Sequence, residues 1–164
     1  MDSIVPQLLL CWVVIFTAIN LTFGLSQKIR NAGIVDVLWG FSFCAVANFF
    51  ALTGEGDETR RIFLAVATSL WSGRLGIYLL MRWKSLHPIE DKRYAELRQK
   101  WGANANLYMF GMFHWQGALI MIFSPIFAVP TWNSNTGMSL IEWIGLTIVA
   151  IAIVGESIAD WQLA

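Results

Sequence analysis

Charge is scarce in this chain. Eleven Lys and Arg balance eleven Asp and Glu, so only 13% of the 164 residues are charged and the net charge is zero. A neutral chain has no bulk attraction for nucleic acid, and whatever charge does here it does by position. Cysteine is nearly absent as well. Cys11 and Cys44 each stand alone in an apolar run, and with only His87 and His114 beside them neither a disulfide framework nor a metal site is supported. The glycine-rich nucleotide loop of soluble dehydrogenases is also missing. The single Gly-x-Gly, Gly54-Glu55-Gly56, lacks the third glycine and sits in an acidic turn that repels a pyrophosphate.

Apolar residues fill the space that charge leaves. They make up 57% of the chain, with nine Trp and eleven Phe, and the mean hydropathy is +0.58. A soluble domain of this size does not carry such a balance. The pattern predicts an all-α, polytopic membrane helix bundle in a lipid bilayer. Five runs approach the roughly 20 residues that a crossing needs: 4–25, 34–53, 62–83, 107–129 and 140–162. The first lacks a basic leader and a cleavage site, so it reads as a retained helix in one integral membrane domain. Between the third and fourth runs, 84–106 is polar, and 89–101 predicts a short surface helix with Tyr94, Leu97 and Trp101 on its apolar side. Lysine and arginine concentrate in the first and third links. The positive-inside rule therefore puts the N-terminus outside and the C-terminus in the cytoplasm.

The few polar residues inside these runs are the candidates for function. Glu156 and Asp160 end the last run four residues apart and share one helix face. Each ionisable group in a membrane helix costs roughly 2.5 to 3.5 kcal/mol even on the lenient insertion scale, so the pair either reaches the interface or binds something. In the third run Trp71, Arg74, Tyr78 and Arg82 recur at steps of three and four and share a face. Ser72 and Gly76 on a neighbouring face predict a close helix approach. Arg74 has the planar donor fork suited to a carboxylate or phosphate, and Asp160, Asp36 or a bound phosphate are its candidate partners. Asp36 opens the second run, and His114 and Gln116 lie in the same half of the fourth. Opposite charges gathered in one leaflet predict a polar cavity open to the cytosol. Plainer readings stand beside these: a structural ion pair for Arg74, interfacial carboxylates for Glu156 and Asp160, and a packing role for His114.

The motifs Asp36-x-x-Trp39-Gly40, Leu70-Trp71-x-x-Arg74-Leu75 with Arg82, Arg93-Tyr94, Gln116 and Gly155-Glu156-x-x-Ala159-Asp160-x-Gln162-Leu163 together resemble the DUF1295 family. That family is related to the steroid 5-alpha-reductases and, more distantly, to the sterol C14-reductases and isoprenylcysteine carboxyl methyltransferases. The resemblance implies an NADPH-dependent membrane reductase of a carbon-carbon double bond conjugated to a carbonyl, acting on a hydrophobic small molecule. It places Arg74, Arg82, Arg93, Tyr94, Glu156 and Asp160 at the cofactor and Asp36, Trp39, Trp71, His114 and Gln116 around the substrate, with no residue assigned to the catalytic acid. Trp71 stands where the reductases have a tyrosine. The family pattern also continues past the Asp160 helix with a segment of the Tyr-Ser-Arg-His-Pro-Asn-Tyr type, so it implies that a C-terminal segment or a partner chain completes the cofactor site. Two other readings are open: an S-adenosylmethionine-dependent methyltransferase like the distant relatives, and a non-catalytic membrane fragment or scaffold. With no retention motif, the expected location is a bacterial inner membrane rather than the endoplasmic reticulum.

Overall fold

The computed structural model describes residues 4–163, apart from the side chains of Asp160, Trp161 and Leu163. Helix α1 runs over Ile4–Ile29, α2 over Ile34–Thr53, α3 over Glu58–Leu86, α4 over Lys92–Trp101, α5 over Ala105–Thr131 and α6 over Leu140–Leu163. A single 3-10 turn, Gly102–Asn104, joins α4 to α5. Among the described residues, five helical segments are long and apolar enough to cross a membrane, as the hydropathy pattern predicts. The protein is an integral, multi-pass helix bundle.

Side-chain caps set several boundaries, and they move the helices a few residues from the apolar runs. Asp57 accepts from the Arg60 N–H at 2.9 Å, so α3 begins at Glu58 rather than at the first apolar residue. Asp91 accepts from the Arg93 N–H at 3.0 Å and starts α4 three residues later than the predicted 89–101. Ser139 and Glu142 form a reciprocal capping box: the Ser139 N–H donates to the Glu142 carboxylate at 2.7 Å, and the Glu142 N–H donates to Ser139 Oγ at 3.3 Å. Proline leaves a different mark on α5. Pro125 cannot donate to the Met121 carbonyl, and the neighbouring Ser124 hydroxyl donates to it instead at 2.8 Å. Trp12 Nε1 then donates to Ser124 Oγ at 3.0 Å, so this indole ties α1 to α5.

Helix α2 lies at the centre of the bundle, against α1, α3 and α5. Its Val35, Phe43, Val46, Ala47 and Phe50 are buried with Ile19 of α1 and Met109, Phe113 and Ile120 of α5. The α2–α3 crossing is the tightest contact, and the predicted Ser72/Gly76 face makes it. A Cβ on Gly40 would stand 2.8 Å from Gly76 Cα, so the two backbones touch where both residues lack a side chain. Ser72 donates to the Gly40 carbonyl at 2.6 Å and accepts from the Cys44 N–H at 2.8 Å. One turn further, Asn48 donates to Ser69 Oγ at 2.7 Å. These bonds hold polar side chains inside an apolar bundle without leaving them unsatisfied.

Helix α6 behaves differently. None of its described residues is buried, and among the described residues the helix it rests on is α3. Between them, with α5 behind, runs an apolar cleft of about 490 Å³ lined by Leu64, Trp71, Phe127, Leu146 and Val149.

Candidate functional site

Two short links bring the polar residues together at one end of the bundle. Arg30, at φ 52°, turns the chain from α1 into α2. The α3–α4 link folds back onto that turn: Asn31 Nδ2 donates to the Ile89 carbonyl at 3.2 Å and the Ala32 N–H to Glu90 Oε1 at 2.8 Å. Arg98 Nε holds the other Glu90 oxygen at 2.8 Å. The link is thereby fixed beside the first turn of α2, where Asp36 sits at the positive end of the helix dipole, which favours its negative charge.

Around Asp36 the geometry closes into a network. Tyr94 donates its hydroxyl to Asp36 Oδ1 at 2.6 Å, and Arg93 Nη2 donates to Asp36 Oδ2 at 3.0 Å. Arg93 Nε also holds Asp91 Oδ1 at 3.1 Å, while Arg82 Nη2 holds Asp91 Oδ2 at 2.8 Å. From α5 the Gln116 amide comes up to the Tyr94 hydroxyl. A small pocket of about 20 Å³, room for roughly one water, lies among Gly33, Asp36, Arg82, Trp83, Asp91 and Arg93. The Trp83 Nε1 donor is buried and has no hydrogen-bond partner among the described residues.

Burial opposes the charge on Asp91, but the Arg93 side chain and backbone N–H, with Arg82 close by, outweigh it and hold the carboxyl below the ordinary aspartate range. A lowered folded value means that the stabilisation is complete above the unfolded value near 3.8 and is lost as the pH falls through the lower folded one. A carbon-13 titration of the Asp91 carboxyl in detergent should therefore show a midpoint under 3.8, moving upward in Arg93→Gln. A midpoint at or above the ordinary value would show that the network does not hold in solution.

The predicted site residues thus fall into two groups. Asp36, Arg82, Arg93, Tyr94 and Gln116 meet in the network just described. Arg74 and Glu156 meet elsewhere: Arg74 Nη2 donates to the Glu156 carboxylate at 2.5 Å, joining α3 to α6. Arg74 precedes Arg82 by eight residues, about 12 Å along a helix at 1.5 Å per residue. The Asp160 side chain lies outside the described residues, so its predicted role beside Glu156 is not described. Trp71, one turn before Arg74, lines the apolar cleft and packs on Phe43 with ring centroids 5.7 Å apart. Trp39 packs edge-on against the same Phe43 at 5.1 Å.

His114 does not join either group. Its Nδ1 bonds the Phe110 carbonyl one turn back at 2.9 Å, and the ring lies between Phe110 and Phe16 of α1. The plainer packing reading describes that position.

One polar centre was not anticipated. Arg60, only 5% exposed, pairs with Glu142 of α6 and donates to the carbonyls of Asn133, Asn135 and Gly137 at 3.0, 3.1 and 2.7 Å. It closes the end of the apolar cleft opposite Arg74. The Ser139-x-x-Glu142 capping box was the legible signal, because it marks where α6 begins and which way Glu142 faces. The Gly54-x-Gly56 turn serves the same corner: the Gly56 N–H donates to the Thr131 carbonyl at 2.9 Å, and a Cβ there would meet Asn133 O at 2.6 Å.

No curated protein and no solved structure matches the chain. One family model does match, over residues 22–164, from the last third of α1 through all the helices that follow. It contains both polar groups, the Arg60 corner and the cleft between them. Its description is "Protein of unknown function (DUF1295)", and the chain belongs to that family.

Proposed function

We propose that this protein is a steroid 5-alpha-reductase-like oxidoreductase that uses NADPH to reduce a carbon-carbon double bond conjugated to a carbonyl in a hydrophobic substrate. The observation that carries the reading is the donor set at the small pocket. Arg82 and Arg93 line it, and the Trp83 Nε1 donor is buried there without a partner. The pocket takes about one water, so a phosphate would sit at its mouth, on the guanidinium N–H groups of Arg82 and Arg93 that Asp36 and Asp91 leave exposed. Family membership supports the same class, since the resemblance places Arg74, Glu156 and Asp160 at the remainder of the cofactor.

When bound, the dinucleotide supplies a hydride to the β carbon of the enone. The protein's part is to orient, to exclude water and to manage charge. Arg82 and Arg93 would hold the phosphate end, with Asp36 and Asp91 fixing the directions of both guanidinium groups and Tyr94 anchoring Asp36 through its hydroxyl. Arg74, held by Glu156, brings a fixed positive charge to within one turn of Trp71 in the cleft wall. A proton must reach the α carbon as the hydride reaches the β carbon. The cleft offers a lipid-soluble substrate apolar walls.

The test uses the protein expressed from its native gene, reconstituted in vesicles with NADPH and a panel of hydrophobic enones. Oxidation of NADPH should match formation of the saturated ketone. Arg82→Gln should raise the KM for NADPH about tenfold through loss of a charged hydrogen bond, with kcat little changed. Binding of S-adenosylmethionine in place of NADPH would replace this reading with the methyltransferase one. Binding of neither would leave a non-catalytic membrane protein.

A further inference from the structure

We propose that the bundle face formed by the ends of α1 and α3 and by α4 is a docking surface for anionic phospholipid head groups. The inference does not depend on the reductase reading. In sequence the stretch 84–100 already carries more cations than acids, with Lys84, Lys92, Arg93, Arg98 and Lys100 against Glu90, Asp91 and Glu96. The fold sorts these charges. The Glu90 and Asp91 side chains are only 12% and 10% exposed, turned inward onto Arg98, Arg82, Arg93 and the Ala32 N–H. The cations stay outside: Lys92 is 89% and Arg93 60% exposed.

The neighbouring helix ends add to the same face. Lys28 and Arg30 at the end of α1, Lys84 at the end of α3 and Lys100 at the end of α4 are all exposed, and among the described residues they form no ion pair. Only Glu96 is an exposed acid here, and it is paired with Lys92 at 3.7 Å. The opposite face has the reverse character. There Glu55 and Glu58 are exposed, while Arg60 is buried against Glu142 and Arg61 donates to the Ala51 and Gly54 carbonyls. A membrane, rather than a soluble acidic partner, is the occupant favoured by what lies among the cations: Ile89 is 73% exposed and Leu86 38%. An apolar side chain beside a ring of lysines suits the boundary between head groups and acyl chains. Clustered cations next to a membrane span attract anionic lipid, and one such cation is worth about a fivefold change in partition.

The experiment compares the intact chain with the quadruple variant Lys28→Gln, Arg30→Gln, Lys84→Gln and Lys100→Gln, whose altered side chains touch no ion pair. Both are placed in nanodiscs mixing phosphatidylcholine with phosphatidylglycerol, and the retained lipid is read by native mass spectrometry. The native chain should retain phosphatidylglycerol at least about fivefold over its bulk share, less so at high salt, and the variant should retain it at the bulk share. Three results would overturn the proposal: retention at the bulk share by the native chain, equal enrichment by the variant, or displacement by glycerophosphate at equal phosphate concentration. The first would leave the face to a soluble acidic partner, and the last would mean that it reads free phosphate.

Discussion

Gly40→Val should lower stability by about 3 kcal/mol or more, the upper end of what overpacking costs. The new side chain has nowhere to go. The ideal Cβ at Gly40 stands 2.8 Å from Gly76 Cα and 3.1 Å from Gly76 N, and backbone atoms cannot rotate aside as a side chain does. The helices must therefore separate, and Ser72 then loses its bonds to the Gly40 carbonyl and the Cys44 N–H. Both groups lie where no water replaces them, so the loss adds to the steric cost. Unfolding in a graded mixture of mild and denaturing detergent measures the effect. Gly73→Ala is the control, since nothing lies within 4 Å of a Cβ there. It should be neutral or gain up to about 1 kcal/mol from helix propensity. Equal effects for the two variants would mean that the crossing is not the close contact described.

Arg60→Met should cost about 3 kcal/mol, the low end of the range for breaking a buried ion pair. The low end applies because Glu142 is 30% exposed and water can partly solvate its stranded charge. Three carbonyls of the 132–139 link also lose their donor. Most of the effect should appear where α6 meets α3, as faster hydrogen exchange across 133–142 while the α2–α5 core keeps its protection. Pairing the change with Glu142→Met should recover part of the loss, since no charge then remains unpaired. A double variant less stable than Arg60→Met by the full cost of a second independent defect would show that the two side chains are not coupled.

Much of the bundle could be read from the chain because a bilayer leaves few choices. Long apolar runs must be helices, and the structure departs from them mainly at their ends: α1 continues to Ile29, and Asp57 caps an α3 that starts four residues ahead of its run. The Ser72/Gly76 face was legible from small residues at helical spacing, although its partner Gly40 was not. Pairings between distant residues were harder. Asp36 and Arg93 are 57 positions apart, and Arg60 and Glu142 are 82 apart, so no local period connects them. Arg60 beside Arg61 in an acidic turn reads as an ordinary solvated charge. Only the loop that folds over it makes it a buried one. His114 shows the same limit: its depth in the fourth run matches the polar cluster, and only its helical phase, which turns it towards Phe16 on α1, separates the two readings given for it.

The sparse packing of α6 bears on how the protein is made. Helices α1 to α5 complete one another's burial, whereas α6 reaches α3 chiefly through an ion pair at each end of the cleft, Arg60–Glu142 and Arg74–Glu156. A segment this apolar leaves the translocon as a stable helix before it has any neighbour. The Arg60 clamp on the 132–139 link holds that helix close to α3, so docking becomes a short search within one leaflet rather than diffusion across the membrane. Arg74 and Glu156 meet only when docking is complete, and the cleft gains its second wall at the same moment. Docking of α6 is thus the step that creates the cleft, and a membrane quality-control protease that samples undocked helices would meet α6 before that step.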